Sequence, residues 1–120
     1  MTPPNPSGTL WSKQVNFNDK LVPGWRSGHP VFFSNALAGE VGEVCNATKH
    51  MAGGGTHQVT TTKEQVLEEL VDAYIYLVLL AECLGFGEEE FETAFFRKME
   101  VNRKRLASRN LQVPSTLGKG

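Results

Sequence analysis

Apolar residues recur at three- and four-residue intervals over long stretches of this 120-residue chain, and this period most constrains its fold. One stretch runs from about Phe32 to about His50, where the apolar side chains fall on a single face of a helix. Its stripe consists of Phe33, Leu37, Val41, Val44 and Thr48. The two-residue alternation of a half-buried strand does not occur in the sequence. The period therefore predicts an all-α bundle of about three to four helices per chain.

Capping and breaking residues place the ends of these helices. Thr9 is suited to cap a short first helix, and Thr61 followed by Glu64 has the form of a capping box that starts a second long helix. From Leu70 to Leu84 this second long helix is apolar nearly all round, so we expect it at the centre of the bundle. Gly85 is suited to end it.

The domain boundaries follow from these helices and from the composition of the two ends. A last helix is predicted from about Gly87 to about Ala107, with acidic first turns and basic last turns that complement the helix dipole. We therefore expect a disordered tail over residues 1–9, a single helical domain over 10–107, and an irregular tail over 108–120.

Charge and hydropathy exclude several classes of function. Twelve basic against thirteen acidic residues leave a net charge of −1, which gives no electrostatic reason to expect nucleic-acid binding. The longest apolar stretch, residues 73–81, is too short to cross a bilayer, and the N-terminal segment lacks the features of a signal peptide. Cys45 and Cys83 lie in helical patterns, as reduced core thiols do. We expect a cytoplasmic protein that binds neither nucleic acid nor membranes.

Acidic residues occupy unexpected positions on two of the predicted helices. Each helical residue advances about 100° around the axis, which places Glu40 on the apolar face and Glu43 at the edge of that face. On the next helix Glu69 lies beside Ala73, and Asp72 follows three residues later. Two pairs of carboxylates are therefore expected on the inner sides of two neighbouring helices.

Carboxylates that converge in a partly apolar region repel one another unless a cation offsets their charge. A site made of carboxylate oxygens favours Mg²⁺ or Mn²⁺, and Mg²⁺ often bridges phosphate oxygens. The two pairs thus predict a metal site for a polyphosphate substrate. In the alternative interpretation, the inward acids pair with Lys98 and Arg103 in a non-enzymatic helical interaction module. A di-iron bundle would need Glu-x-x-His pairs, which the sequence does not contain.

The motifs Glu40-x-x-Glu43 and Glu69-x-x-Asp72 together resemble the signature of the MazG-like all-α nucleoside triphosphate pyrophosphohydrolases. This resemblance implies Mg²⁺-dependent hydrolysis of nucleoside triphosphates to the monophosphate and pyrophosphate, with Mn²⁺ as a substitute ion. It also implies that all four carboxylates are metal ligands. Glu40 or Glu43, with Glu43 preferred, would orient or deprotonate the attacking water.

The same resemblance implies the residues that contact the nucleotide. Lys98 would offset phosphate charge and Asn102 would hydrogen-bond the phosphates or the sugar, because their segment is similar to that of the dCTP-pyrophosphatase branch. Tyr76 would pack against the sugar, and Trp25-x-x-x-His29 resembles the segment that contacts the base. The preferred base and sugar stay open, as does the choice between removal of aberrant nucleotides and control of the dNTP pool.

Members of this family are homodimers or homotetramers, and the resemblance implies the same for this chain. The apolar character of the predicted central helix favours the same interpretation, because a small monomer has little surface with which to cover it.

Overall fold

The computed structural model describes residues 8–52 and 61–112, and this part of the chain contains helices and no strand. The all-α fold predicted from the sequence is therefore confirmed. The four helices are α1 (Leu10–Leu21), α2 (Pro30–Ala52), α3 (Lys63–Cys83) and α4 (Glu88–Gln112), and a 3-10 turn (Trp25–Ser27) lies between α1 and α2.

Two sequence predictions fall partly on other residues. Residues 1–7 of the predicted N-terminal tail and residues 113–120 of the predicted C-terminal tail lie outside the described residues.

The starts of α1 and α2 follow from the residues before them. The Thr9 hydroxyl accepts a hydrogen bond from the backbone N–H of Ser12 at 3.0 Å, which confirms the predicted cap. Pro30 opens α2 two residues earlier than expected, because proline suits the first helical position, where no N–H is needed. The His29 imidazole Nδ1 accepts from the N–H of Val31 at 3.1 Å and satisfies one of the free donors there.

The capping box of α3 lies one residue later than predicted. Thr62, not Thr61, accepts from the backbone N–H three residues on, and the side chain of Gln65 accepts from the N–H of Thr62 at 2.8 Å. Gln65 therefore fills the position expected for Glu64. Both pairs fit the same sequence rule, and the structure selects the later one.

The end of α3 has the geometry predicted for Gly85. Gly85 adopts a φ of +90°, which a glycine reaches without the steric cost that a side chain would impose. Its N–H donates to the carbonyl of Glu82 at 2.9 Å, and that of Phe86 donates to the carbonyl of Ala81 at 2.8 Å. These two bonds form a Schellman motif, which stops the helix.

Helices α2 and α3 pack against each other and run in opposite directions. Near the start of α2, Phe33 packs with Trp25 against Leu79, close to the end of α3. Near the end of α2, Ala47 lines one cavity with Gln65 from the start of α3. The start of α2 thus lies against the end of α3, and the end of α2 lies against the start of α3. Residues midway along one helix therefore face residues midway along the other.

A network of polar side chains joins α1, the 3-10 turn and α3. The indole N–H of Trp11 donates to Glu82 at 2.9 Å, and that of Trp25 donates to Asp19 at 2.9 Å. Arg26 bonds both acids, at 2.6 Å to Asp19 and 3.3 Å to Glu82, and stacks over the Trp25 ring at 4.5 Å. The network fixes the chain that leads into α2 and satisfies two buried indoles.

Only part of the apolar stretch of α3 is enclosed. Val78 is fully buried and Leu79 is 5% exposed, whereas Leu70 and Val71 are close to half exposed. The prediction that this stretch lies at the centre of the bundle therefore holds for its second half. Beside the exposed half, α1 and α3 form an apolar groove of about 520 Å³, lined in part by Phe17.

The chain divides into two compact units, Met1–Phe86 and Gly87–Gly120. The second contains α4, which is helical to Gln112 and so extends beyond the boundary predicted at residue 107. The first residue after 107 that breaks a helix is Pro114, and the intervening residues tolerate helix. A single domain over residues 10–107 stays a prediction. Among the described residues, no single helix has the length and apolarity to cross a membrane, and α3 and α4 pass that test only as a bent pair.

Candidate metal centre

Three of the predicted carboxylates converge where α2 and α3 face each other. One carboxylate oxygen from each of Glu40, Glu69 and Asp72 lies within 4.8 Å of the others. Glu40 and Glu69 are half-buried, and Asp72 is exposed. The three-residue spacing of Glu69 and Asp72 puts both on one face of α3, and the antiparallel packing brings that face to Glu40.

The spread of this cluster is compatible with a small hard cation. Two oxygens on opposite sides of an octahedral Mg²⁺ are about 4.2 Å apart, and the three carboxylate oxygens lie within 4.8 Å of one another. The donor set of the cluster is purely carboxylate oxygen, which suits Mg²⁺ or Mn²⁺ better than ions that prefer sulfur or imidazole.

Glu43 lies beside this cluster and lines an adjoining cavity. Its side chain is exposed, and it shares with Glu69 the wall of a polar cavity of about 280 Å³. The other lining residues are Asn46, Ala47, His50, Thr61, Gln65 and Glu68. Glu43 is therefore placed to reach a molecule in the cavity, while Glu69 borders both the cavity and the cluster.

Glu69 bears the electrostatic consequence of this arrangement. Desolvation raises the pKa of its carboxyl, and the negative charges of Glu43, Glu40, Asp72 and Glu68 raise it further. Within residues 8–52 and 61–86, no ion pair or hydrogen bond offsets the charge of Glu40, Glu43, Glu69 or Asp72. Among the described residues of its unit, the cluster thus concentrates negative charge without a basic partner, and a bound cation would relieve it.

Three other carboxylates in the described residues have basic partners. Arg26 pairs with Asp19 and Glu82, and Arg103 pairs with Glu100 at 2.7 Å, one turn earlier on α4. The interaction-module interpretation assigned Arg103 to the inward acids. In the structure its guanidinium instead makes two hydrogen bonds to Glu100.

The segment predicted to contact the base lies away from the carboxylates and has local structural roles. Trp25 is 7% exposed, with Arg26 over its ring face and Phe33 against its edge at 6.0 Å between centroids. His29 caps the start of α2, roughly 16 Å before Glu40 at the helical rise per residue. The substrate roles of Trp25 and His29 stay predictions.

The remaining predicted substrate residues are distributed over both units. Tyr76 is half-buried and packs against the core formed by Trp25, Phe33 and Leu79, one turn beyond Asp72. Lys98 and Asn102 are exposed on α4, in the second unit. The part of all three in substrate binding stays a prediction.

Sequence reasoning did not assign Asn46, His50, Gln65 or Glu68 to the site. The positions of these residues on the helices, relative to Glu43 and Glu69, could have indicated them. Asn46 and His50 follow Glu43 by three and seven residues and so share its side of α2. Gln65 precedes Glu69 by four residues on α3. These positions were missed because polar residues on exposed helix faces are common and only the partner helix distinguishes them.

Comparison of the chain with models of protein families, with curated proteins and with solved structures finds no match. The resemblance to the MazG-like family therefore rests on the two carboxylate motifs and on the segments that contain Lys98 and Trp25.

Proposed function

We propose that this protein hydrolyses nucleoside or deoxynucleoside triphosphates to the monophosphate and pyrophosphate, with Mg²⁺ as the cofactor. The observation that carries the proposal is the convergence of Glu40, Glu69 and Asp72, with Glu43 on the wall of the adjoining cavity. A cluster of carboxylates that has no basic partner among the described residues of its unit is poorly suited to structural ion pairing and well suited to a divalent cation.

Each carboxylate has a distinct role in this proposal. Glu40, Glu69 and Asp72 would hold Mg²⁺, which when bound neutralises phosphate charge and orients the substrate. Glu43 accepts a proton from the attacking water as the water oxygen bonds to the α-phosphorus. The bond from that phosphorus to the bridging oxygen breaks, and pyrophosphate leaves. Reactions at phosphorus depend mainly on such positioning and charge neutralisation.

Nucleotide contacts beyond the carboxylates follow the resemblance. Lys98 and Asn102 would contact the phosphates or the sugar, Tyr76 the sugar, and Trp25 and His29 the base. The polar cavity beside Glu43 adds Asn46 and Gln65 to the groups that would meet the polyphosphate.

The class of reaction is tested by incubating the protein with a panel of dNTPs and NTPs, in Mg²⁺ and in EDTA, and identifying the products by ³¹P NMR. We expect monophosphate and pyrophosphate in Mg²⁺ and no turnover in EDTA. Release of the nucleoside diphosphate and inorganic phosphate would place the cleavage between the β- and γ-phosphates and contradict the proposal. No turnover of any nucleotide would favour the non-enzymatic interaction module.

The role of Glu43 is tested by Glu43→Gln, which keeps the size of the side chain and removes its ability to take a proton. We expect activity to fall by about 10²-fold or more, the usual effect of losing a general base. The matched control is Glu64→Gln, which removes one exposed carboxylate from the first turn of α3. Full activity in Glu43→Gln would remove this residue from the proposed chemistry.

A further inference from the structure

The polar cavity beside Glu43 is the right size for a part of a nucleotide. Glu43 from α2 and Glu69 from α3 both line it, and its volume is about 280 Å³. That volume is at the lower end of the range for small-molecule sites, so the cavity holds one portion of a nucleoside triphosphate and not the whole. The α-phosphate is attached to the pyrophosphate on one side and to the nucleoside on the other, and the cavity takes one of these two groups.

The geometry of the proposed reaction favours the nucleoside. In a displacement at phosphorus, the attacking and leaving oxygens lie roughly in line on opposite sides of the phosphorus. Because Glu43 takes the proton of the attacking water, the pyrophosphate departs on the side away from Glu43. The sugar and base do not lie on this line, and they are the groups that reach a cavity bordered by Glu43.

The charges of the cavity favour the nucleoside as well. Three carboxylates line it, those of Glu43, Glu68 and Glu69, and the described residues of the lining include no lysine or arginine. Glu43 and Glu68 both raise the pKa of Glu69 through their negative charge, so the three groups lie close enough to interact. A pyrophosphate would add like charge to this set, whereas an uncharged base with N–H donors would bond to it.

Two side chains of the lining are available to such a base. Among the described residues, the side chains of Glu68 and Asn46 have neither a hydrogen bond nor an ion pair, and both residues are exposed. Gln65 differs, because its Oε1 accepts from the N–H of Thr62 at 2.8 Å in the capping box of α3. Glu68 offers two acceptor oxygens, and Asn46 offers an amide that donates.

Guanine is the base whose edge matches this pair of side chains. Its Watson–Crick edge carries two neighbouring donors, N1–H and N2–H₂, beside the acceptor O6. One carboxylate accepts from both donors at once, as it does from the fork of an arginine, and an amide donates to O6. Cytosine and adenine place an acceptor nitrogen beside their amino group, and thymine and uracil place a carbonyl on each side of their N–H. A carboxylate would therefore face an acceptor in each of the other bases.

We propose that this cavity is the base subsite and that it selects guanine, with Glu68 accepting from N1–H and N2–H₂ and Asn46 donating to O6. The inference rests on the proposed hydrolysis and names guanine nucleotides as its substrate class. It places the base near the end of α2, whereas the resemblance places it at Trp25, before the start of α2. The ring of Trp25 already contacts Arg26 and Phe33. Asn46 thereby gains a base contact in place of a polyphosphate contact.

The first test compares dGTP with dITP, which lacks only the 2-amino group. We expect kcat/KM of wild type to be at least tenfold higher for dGTP than for dITP or for a pyrimidine dNTP. Glu68→Gln replaces one acceptor oxygen by a donor, so the ratio of dGTP to dITP should fall about tenfold. Glu64→Gln, one turn earlier on α3 and outside the cavity, should keep the ratio. Equal kcat/KM for dGTP and dITP in wild type, or an unchanged ratio in Glu68→Gln, would overturn the base subsite and leave the hydrolysis intact.

The second test does not depend on hydrolysis. Isothermal titration calorimetry in Mg²⁺ gives the dissociation constants of dGMP and dIMP, and wild type should bind dGMP about tenfold more tightly. Asn46→Asp replaces the donor to O6 by a carboxylate and should weaken dGMP binding at least tenfold. The matched control is Asn16→Asp, the same change on an exposed residue of α1, which should bind dGMP like wild type.

The binding data separate this inference from the proposed function. Undetectable or equal binding of the two monophosphates by wild type, or dGMP binding by Asn46→Asp that equals that of wild type, would refute the subsite. A protein that distinguishes dGMP from dIMP in this way and hydrolyses no nucleotide would retain the subsite and contradict only the proposed function.

Discussion

At the scale of single residues, Glu69 connects the two halves of the candidate site. It belongs to the cluster with Glu40 and Asp72, and it shares the polar cavity with Glu43. Its pKa is raised because desolvation and four neighbouring carboxylates all oppose its negative charge. A bound cation would offset this unfavourable environment of the Glu69 carboxylate.

The raised pKa of Glu69 predicts how the metal-free protein responds to pH. A carboxyl whose pKa is higher in the folded state binds more protons there than in the unfolded chain, so the contribution of this group to stability falls as pH rises. The loss begins near the ordinary value of 4.5 and is complete above the raised pKa. In EDTA, we expect Glu69→Gln and wild type to have the same melting temperature at the acidic end of this pH window. Above the window, the melting temperature of Glu69→Gln should be higher than that of wild type.

Glu64→Gln serves as the control for the pH experiment, because Glu64 is an exposed residue of the same helix outside the cluster. The difference in melting temperature between Glu64→Gln and wild type should not increase as pH rises. A Glu69→Gln variant whose difference from wild type is independent of pH would show that repulsion at Glu69 is absent in solution.

At the scale of the helices, the network around Glu82 holds α1 against α3. Glu82 accepts from the buried indole of Trp11 and from Arg26, and Arg26 in turn bonds Asp19. The Trp25 indole N–H lowers the pKa of Asp19, and Arg26 lowers it further. These contacts join segments that are far apart in sequence and fix the entry into α2.

The network predicts different outcomes for two substitutions of Glu82. Glu82→Ala removes the acceptor of a buried indole N–H and should lower the free energy of unfolding by about 1–3 kcal/mol. Glu82→Gln keeps an acceptor for Trp11 and loses mainly the exposed pairing with Arg26, which is worth at most about 1 kcal/mol. Urea unfolding followed by tryptophan fluorescence measures the free energy of unfolding of both variants. Equal losses in the two variants would contradict the role of Glu82 as the acceptor for Trp11.

The helices themselves could be predicted well because their signals are local. Thr9 and Gly85 were identified from short-range rules, and the structure gives each the expected hydrogen bonds. The capping box of α3 was assigned one residue too early, because Thr61 and Thr62 are each followed three residues later by Glu or Gln. The pairing of Trp11 with Glu82 could not be predicted, since helical periodicity carries no information on contacts between residues 71 positions apart.

At the scale of the whole molecule, the carboxylate cluster could be predicted from helical periodicity, whereas the substrate contacts rest on resemblance and stay predictions. Glu40 and Asp72 were predicted on the facing sides of two helices that pack together, and the structure brings their carboxylates together although Asp72 is exposed. Trp25 was assigned to the base on resemblance, and the structure places it in the core. Lys98 lies in the second unit, and its role in substrate binding stays a prediction.

The central claim is that the faces of α2 and α3 form a divalent-cation site, and Mg²⁺ titration of the metal-free protein tests it most directly. Binding at 100 times the dissociation constant stabilises the folded state by about 2.7 kcal/mol, which raises the melting temperature of a domain this size by roughly 10 °C or more. We predict this rise for wild type and for Glu64→Gln, and none for Asp72→Asn. No rise in wild type, or an equal rise in Asp72→Asn, would contradict the account.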